Sequence, residues 1–512
     1  MTIKRIILII LTFFAIVKMF LSLGSSLTEP QIQSQLELYQ TNFVLHGVEL
    51  KSEKLDIDSP KTLDDFNNVL NTLFGQEPYL NAQKQYEKAK QNANITIDNY
   101  QKQLTVLNSN FSAKETAIKS VEKSIENSNI FINKINLNLG ILEAQQGNIE
   151  EAIKIWKELP EKSSIAPILI EIWQNNQSLP PNTELQIIES FKGWFRYRVL
   201  HQYYKLTDQN KQLIVLESNE QETAQIAVFK LLLLSTLPAL GGLIGFGLII
   251  FLIIQLFIKK DQAILAINQG IKWETPWDGE TVWFVFIIGF FTVQQIILPF
   301  SLSSIFSIFS INPSSFNIRQ NALYVLTTYV LMTVAGLLVL YYSIKNFFPL
   351  PDKQWFNFKG SKKWFLWGIG GYLVALPLVL IISLINQIFW QGQGGSNDLL
   401  FLALQAQDKL ALSIFFFTAS IAAPFFEEIM FRGFLLSSLT KYVPVWGAIL
   451  ISAFIFAVAH LSLSEVLPLM MLGIILGFVY TRSRNLLAPM LVHSIWNSGT
   501  LIGLFILGSG VN

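Results

Sequence analysis

The 512-residue chain contains no cysteine, and only 14% of its residues are charged. The absence of cysteine excludes disulfide bonds, thiolate nucleophiles, iron–sulfur clusters and cysteine-based zinc sites. Soluble domains carry about 25% charged residues, so the deficit of charge indicates membrane spans. The net charge is only +1, so the chain lacks the excess of basic residues that is typical of nucleic-acid-binding proteins, and we expect no nucleic-acid partner. Histidine is scarce, with four in the chain, so each one can be weighed singly.

Hydrophobic residues make up 51% of the chain and concentrate at its N-terminus and in its second half. An apolar stretch at 6–24 leads us to interpret residues 1–26 as a membrane anchor or signal segment. A membrane span needs about 20 apolar residues. Further apolar runs lie near 231–258, 281–303, 322–343, 364–389, 410–440, 444–460, 465–481 and 486–509. The sequence therefore predicts an all-α polytopic membrane protein with about nine transmembrane helices, an eight-helix C-terminal bundle plus the N-terminal anchor.

Basic residues fall on one side of the predicted bundle. The pair at 4–5 places the N-terminus in the cytoplasm, because short cytoplasmic loops are enriched in Lys and Arg. The basic residues of 259–260, 345–363 and 482–484 then fall on the same side. This alternation predicts an integral multi-pass protein that exposes residues 27–225 outside the cytoplasm.

Residues 27–225 are rich in Gln, Asn, Lys and Glu, with apolar residues at helical spacing, and they predict a soluble helical domain. Within this domain, residues 137–160 resemble a tetratricopeptide unit, in which small residues let two helices approach. The residues that match this pattern are Leu139, Gly140, Gly147, Ala152 and Trp156. Residues 191–216 are a candidate partner unit, and the domain is a candidate site for a protein partner. We interpret His46 and His201 as ordinary surface or partly buried histidines.

Ionisable residues lie inside the last predicted spans. Inserting a charged side chain into the middle of a membrane costs at least about 2.5 kcal/mol of free energy. Glu428 and Arg432 are four residues apart, so they share a helix face and can pair. Glu427 points about 100° away from that face and has no equally placed partner. Two further pairs with the same spacing are Phe456 with His460 and His493 with Asn497. A rise of about 1.5 Å per residue puts all three sets in the middle or outer part of the membrane.

These residue types suit peptide hydrolysis by an activated water. A desolvated carboxylate can act as a general base, and a neighbouring histidine can hold the water. A second histidine and an asparagine can donate hydrogen bonds to the oxyanion. The residues Glu427, His460 and His493 could instead ligate a metal, since one Glu and two His form a catalytic zinc set. The sequence leaves both chemistries open, and it contains no H-E-x-x-H motif.

Three motifs carry a family resemblance. EEIMFR at 427–432, Phe456 to His460 and His493 to Asn497 resemble E-E-x-x-x-R, F-x-x-x-H and H-x-x-x-N of the CAAX protease and bacteriocin-processing (CPBP, or ABI) family. All three occur in order and with the family's internal spacing. The resemblance implies an intramembrane metalloprotease-type catalytic domain at 361–512, preceded by membrane helices at 226–360. The helical extension is similar to cyanobacterial members, which implies a prokaryotic plasma or thylakoid-type membrane.

The resemblance also implies roles for the site residues. Glu427 would be the general base, and His460 its partner on the water. His493 and Asn497 would form the oxyanion or ligand pair. Arg432 would position Glu428. A divalent metal such as zinc is a candidate cofactor.

The sequence therefore predicts a CAAX-type endopeptidase that hydrolyses peptide bonds of membrane-associated substrates with a glutamate-activated water. The alternative is a non-catalytic membrane scaffold, in which residues 27–225 bind a partner and the polar cluster holds helices together. A proton-coupled transporter is a third hypothesis, which the lack of an evident inverted repeat disfavours.

Overall fold

The computed structural model describes residues 2–51, 68, 72–109, 115–160, 165–348, 355–359 and 363–510. Regular structure within these ranges is helical, and they contain no β-strand. The chain forms two compact units, one from Met1–Glu29 and Pro238–Gly508 and the other built on Pro30–Leu237. We call them the membrane unit and the helical unit. The prediction of an all-α polytopic protein is confirmed.

The helical unit is built from α-helices of very different length. Two long helices, α3 and α4, pack along each other and bury a sparse stripe of apolar residues, as the three- and four-residue spacing predicts. The helices are α2 (Gln33–Val48), α3 (Pro78–Ser109), α4 (Glu115–Gln145), α5 (Ile149–Lys157), α6 (Ile165–Trp173), α7 (Thr183–Ser190) and α8 (Gly193–Leu206).

The tetratricopeptide-like segment forms the close helix pair α4–α5. Trp156 is 1% exposed and packs against Gly140, where a Cβ atom would lie only 2.2 Å from the indole Nε1. The indole N–H donates a hydrogen bond to the carbonyl of Leu137. Gly147, with φ +91°, terminates the turn between the two helices in a conformation that favours glycine. A small residue opposite a large one thus lets the two helices approach.

Both histidines of the helical unit have a carboxylate partner. His46 is 2% exposed, and its Nδ1 lies 2.6 Å from Oε1 of Glu220. The Nε2 atom of His201 lies 3.1 Å from Oε1 of Glu217. His46 is therefore more deeply buried than the sequence indicated.

Eight of the described helices are long and apolar enough to cross a membrane. Their outward faces carry exposed Leu, Ile and Phe side chains, which suits contact with lipid rather than water. These helices are α1 (Ile3–Ser26), α9 (Asn210–Lys259), α10 (Gly279–Ile308), α11 (Ile318–Ile344), α12 (Trp364–Trp390), α14 (Lys409–Leu439), α16 (Leu463–Ser483) and α17 (Leu487–Gly508). Two shorter helices are α13 (Asp398–Gln405) and α15 (Val445–Val458).

Helix α9 starts well before its apolar run. It is 50 residues long, and Pro238 is the sole proline inside it. Because no helix breaker separates 210 from 237, the polar helical region continues directly into the apolar segment. The boundary predicted at residue 225 therefore falls inside a helix.

Helix α15 is the short member of the bundle. Its 14 residues span about 21 Å, less than the roughly 30 Å of a bilayer core. It packs closely on α16, because a Cβ atom on Gly473 would lie 2.9 Å from the Cβ of Ala453. Neighbouring helices thus bury one face of α15, which includes Ala453 and Phe456, whereas Trp446 and Phe454 on the other face are exposed.

Candidate active site

Helix α14 carries the two adjacent glutamates and is not a uniform α-helix. A six-residue α-helical segment, Ala423–Glu428, lies between two wider π-helical segments, Thr418–Ala422 and Ile429–Leu436. Pro424 explains the first widening, because its ring clashes with the carbonyl four residues earlier and it has no N–H to donate. Such π segments are frequent at functional sites.

The irregular turn leaves two carbonyl groups without their α-helical donors. The N–H that would reach Ala419 donates to Thr418 instead, and Pro424 has no N–H for Ser420. Side chains of α17 supply both donors. Asn497 Nδ2 donates to the Ala419 carbonyl at 2.7 Å, and the Ser494 hydroxyl donates to the Ser420 carbonyl at 2.6 Å. The last helix is thereby fixed against the helix that bears the glutamates.

Glu428 and Arg432 form the ion pair that their spacing predicts. Arg432 Nη1 donates to Glu428 Oε1 at 3.0 Å, and both side chains are 0% exposed. Arg432 Nη2 donates to the Gly473 carbonyl at 3.2 Å, and its guanidinium carbon lies 4.5 Å from the Phe456 ring centroid. The pair thus joins α14 to α15 and α16.

His493 lies between the two glutamates. Its Nδ1 is 2.9 Å from Glu428 Oε1, and its Nε2 is 3.9 Å from Glu427 Oε2. A carboxylate only accepts hydrogen bonds, so Nδ1 carries a proton and Glu428 fixes the ring orientation. The sequence had assigned Glu428 one partner, Arg432, and the structure adds a second.

Glu427 has one engaged and one free carboxylate oxygen. The Tyr329 hydroxyl donates to Oε1 at 3.1 Å. Among the described residues, Oε2 has no hydrogen-bond partner. The sequence indicated no partner for Glu427 at helical spacing on its own helix, and the structure supplies one from α11. Sequence reasoning missed Tyr329, which lies in α11 ahead of the predicted catalytic domain and carries no motif that could have marked it.

His460 lies two residues beyond the last residue of α15, and one of its ring nitrogens has a hydrogen-bond partner. Its Nδ1 lies 2.9 Å from the Phe456 carbonyl oxygen, which only accepts, so Nδ1 carries the proton and Nε2 is left as an acceptor. The ring packs edge-on against Phe456 at a centroid distance of 4.9 Å. The four-residue spacing of this motif thus orients the histidine.

One cavity of about 580 Å³ is lined by several of the site residues that the sequence predicted. Its walls are mainly apolar, from α10, α11, α13, α14, α16 and α17. The polar residues relevant to chemistry that line it are Tyr329, Glu427, His460, His493 and Asn497. Glu428 and Arg432 form the buried support.

The described residues contain no group of three His, Asp or Glu side chains placed to hold a metal ion. His493 uses Nδ1 for Glu428, which leaves Nε2 with Glu427 as a pair of donors rather than a three-ligand set. A metal held by Glu427, His460 and His493 stays a prediction, and no reaction step is assigned to it.

Residues 409–499 match the family described as type II CAAX prenyl endopeptidase Rce1-like. This segment is an Rce1-like domain. It contains all six site residues predicted from the sequence, whereas Tyr329 lies outside it. The family resemblance inferred from the three motifs is confirmed.

Three curated proteins are similar to part of the chain. YdiL of Bacillus subtilis (strain 168), whose name proposes a membrane peptidase, is 28% identical over 27% of this chain and 55% of its own length. The membrane-embedded CAAX protease MroQ of Staphylococcus aureus (strain USA300) is 24% identical over 37% of this chain and 76% of its own. The UPF0177 protein YxdF of Lactococcus lactis subsp. lactis (strain IL1403) is 30% identical over 25% of this chain and 64% of its own.

The chain thus spans about half the length of the first of these relatives. No solved structure matches the chain.

Proposed function

We propose that this protein is an intramembrane endopeptidase that hydrolyses peptide bonds of membrane-associated substrates with a water activated by Glu427. The observation that carries the proposal is that Glu427 lines the same cavity as His460, His493 and Asn497, and that its buried Oε2 has no hydrogen-bond partner among the described residues. An unpaired carboxylate oxygen is costly to bury and is suited to accept a proton. The Rce1-like domain and the name of MroQ as a CAAX protease agree with this reaction class.

The proposed reaction starts with a water held between Glu427 Oε2 and His460 Nε2. Glu427 takes a proton from the water as its oxygen bonds to the substrate carbonyl carbon. The carbonyl oxygen becomes an oxyanion, which accepts a hydrogen bond from the second amide hydrogen of Asn497, or from His493 Nε2 when that ring is doubly protonated. The C–N bond then breaks, and the proton passes from Glu427 to the leaving nitrogen. The products are a carboxylic acid and an amine.

Glu428 and Arg432 act indirectly in this scheme. Glu428 fixes the His493 ring, and Arg432 balances the charge of Glu428. The side-chain amide of Asn497 has two hydrogens, and one of them is donated to the Ala419 carbonyl. Only the other is available to the oxyanion. The apolar cavity walls favour an extended peptide with apolar side chains, such as the tail of a membrane protein.

The test is quantitative proteomics of membrane fractions from cells that carry the wild type or Glu427→Gln. We expect an uncleaved precursor to accumulate in the Glu427→Gln membranes, and purified wild-type protein to cleave that precursor. Glu150→Gln is the control, because Glu150 is an exposed carboxylate of α5 that does not line the cavity. Identical membrane proteomes for wild type and Glu427→Gln would contradict the proposal and favour the scaffold hypothesis.

A further inference from the structure

The Tyr329 hydroxyl is the one described group outside the Rce1-like domain that bonds a predicted reacting side chain. It donates to Glu427 Oε1 at 3.1 Å across a separation of 98 residues. Tyr329 lines the same cavity as the glutamate. Its ring meets Phe426 edge-on, with centroids 6.4 Å apart and planes at 88°. The residue is therefore held by packing as well as by its hydroxyl.

We infer that Tyr329 is a positioning residue that selects which oxygen of Glu427 receives the proton from water. This inference rests on the proposed function. A carboxylate can rotate about its terminal bond, which is broad and roughly two-fold, and so exchange its two oxygens. The Tyr329 hydroxyl holds Oε1 against α11, and Oε2 then faces His493 Nε2 at 3.9 Å. The base is aligned before the water binds.

The two oxygens differ in surroundings as this role requires. Oε1 has a donor, and Oε2 has none in the described part of the chain. Loss of the donor would let the carboxylate exchange its two oxygens, so fewer encounters with water would be productive. Because positioned geometry contributes to the barrier and not to substrate contacts, kcat should fall while KM stays unchanged.

The proposed catalytic unit therefore includes a helix, α11, that precedes the Rce1-like domain. Helix α11 is fixed to the glutamate helix here and at Gly336, where a Cβ atom would lie 3.0 Å from the Phe426 ring. The membrane helices before residue 361 are thus part of the site rather than a separate support.

The experiment uses Tyr329→Phe in the full-length protein, which retains the ring and its contact with Phe426. The substrate is the precursor that accumulates in Glu427→Gln membranes. We expect kcat to fall about 10- to 100-fold, the size of one hydrogen bond to a charged group, with KM and the melting temperature unchanged. Adding Tyr329→Phe to Glu427→Gln should cause no further loss, because the base is already absent.

Tyr341→Phe is the matched control. Tyr341 lies on the same helix but does not line the cavity, and its ring packs against Tyr342 and Phe348. We expect wild-type kcat for this variant. Wild-type kcat for Tyr329→Phe, an equal loss in Tyr341→Phe, or a fall in melting temperature that accounts for the loss would each overturn the inference. If Glu427→Gln itself retains activity, the proposed function fails instead.

Discussion

His493 Nδ1 lies 2.9 Å from Oε1 of Glu428, the same oxygen that Arg432 Nη1 contacts at 3.0 Å. One buried carboxylate oxygen thus orients both a histidine and an arginine. The adjacent Glu427 lines the cavity, and its buried Oε2 has no hydrogen-bond partner in the described part of the chain. The two neighbouring glutamates therefore have different surroundings. Glu428 positions other side chains, whereas Glu427 is the residue to which we assign the chemistry.

The Glu428–Arg432 pair can be tested for coupling in the free energy of unfolding. Glu428→Ala or Arg432→Ala leaves a fully buried charge without its partner, and each should lower that free energy by about 3–5 kcal/mol. The double variant should lose less than the sum of the two, as measured by thermal or denaturant unfolding in detergent. Strictly additive losses would show that the two side chains are not coupled.

Substitution of His460 and of His493 should have different effects on turnover and on melting temperature. His460→Ala should lower turnover about 10²–10⁴-fold, because the proposed water loses its acceptor, with little change in melting temperature. His493→Ala should lower both turnover and melting temperature, since it also removes a partner of buried Glu428. Activity assays and unfolding curves of the two purified variants give the comparison. Equal melting temperatures would contradict the support that His493 gives to Glu428.

Pro424 and Ser494 should be coupled through the Ser420 carbonyl. Ser494→Ala alone should lower the free energy of unfolding by about 1–3 kcal/mol, because it removes the side-chain donor of that carbonyl. In a Pro424→Ala background the cost should be smaller, since alanine at this position restores the N–H that α-helical geometry directs to Ser420. A double-mutant cycle on unfolding free energy measures the difference. Thr500→Ala is the control, because its hydroxyl bonds the Trp496 carbonyl within its own helix.

Topology can be tested by single cysteines, because the natural chain has none. Lys119→Cys lies at an exposed position of α4, and Asp261→Cys follows the second predicted span. A membrane-impermeant maleimide should label Lys119→Cys in intact spheroplasts and Asp261→Cys only after lysis. Labelling in the reverse order would place the helical unit in the cytoplasm and invert the predicted orientation.

Contacts within one helix were predictable from the sequence. The Glu428–Arg432 pair and the Phe456–His460 contact both join residues four apart, and the helical period alone brings such residues together. The spans were predictable for a related reason, because crossing lipid requires a continuous apolar run. Gly140 opposite Trp156 also followed from the pattern of small and large residues.

Contacts between helices were decided by the tertiary structure. Tyr329 meets Glu427 across 98 residues, and Asn497 meets the Ala419 carbonyl across 78. The helical period of a sequence does not determine which helices pack together, or how each helix is rotated about its own axis. The sequence by itself thus determined the spans and the chemical groups that reach the membrane interior. Only the packing of α11 and α17 against α14 decided which oxygen of Glu427 stays free, because that choice depends on donors brought from distant parts of the chain.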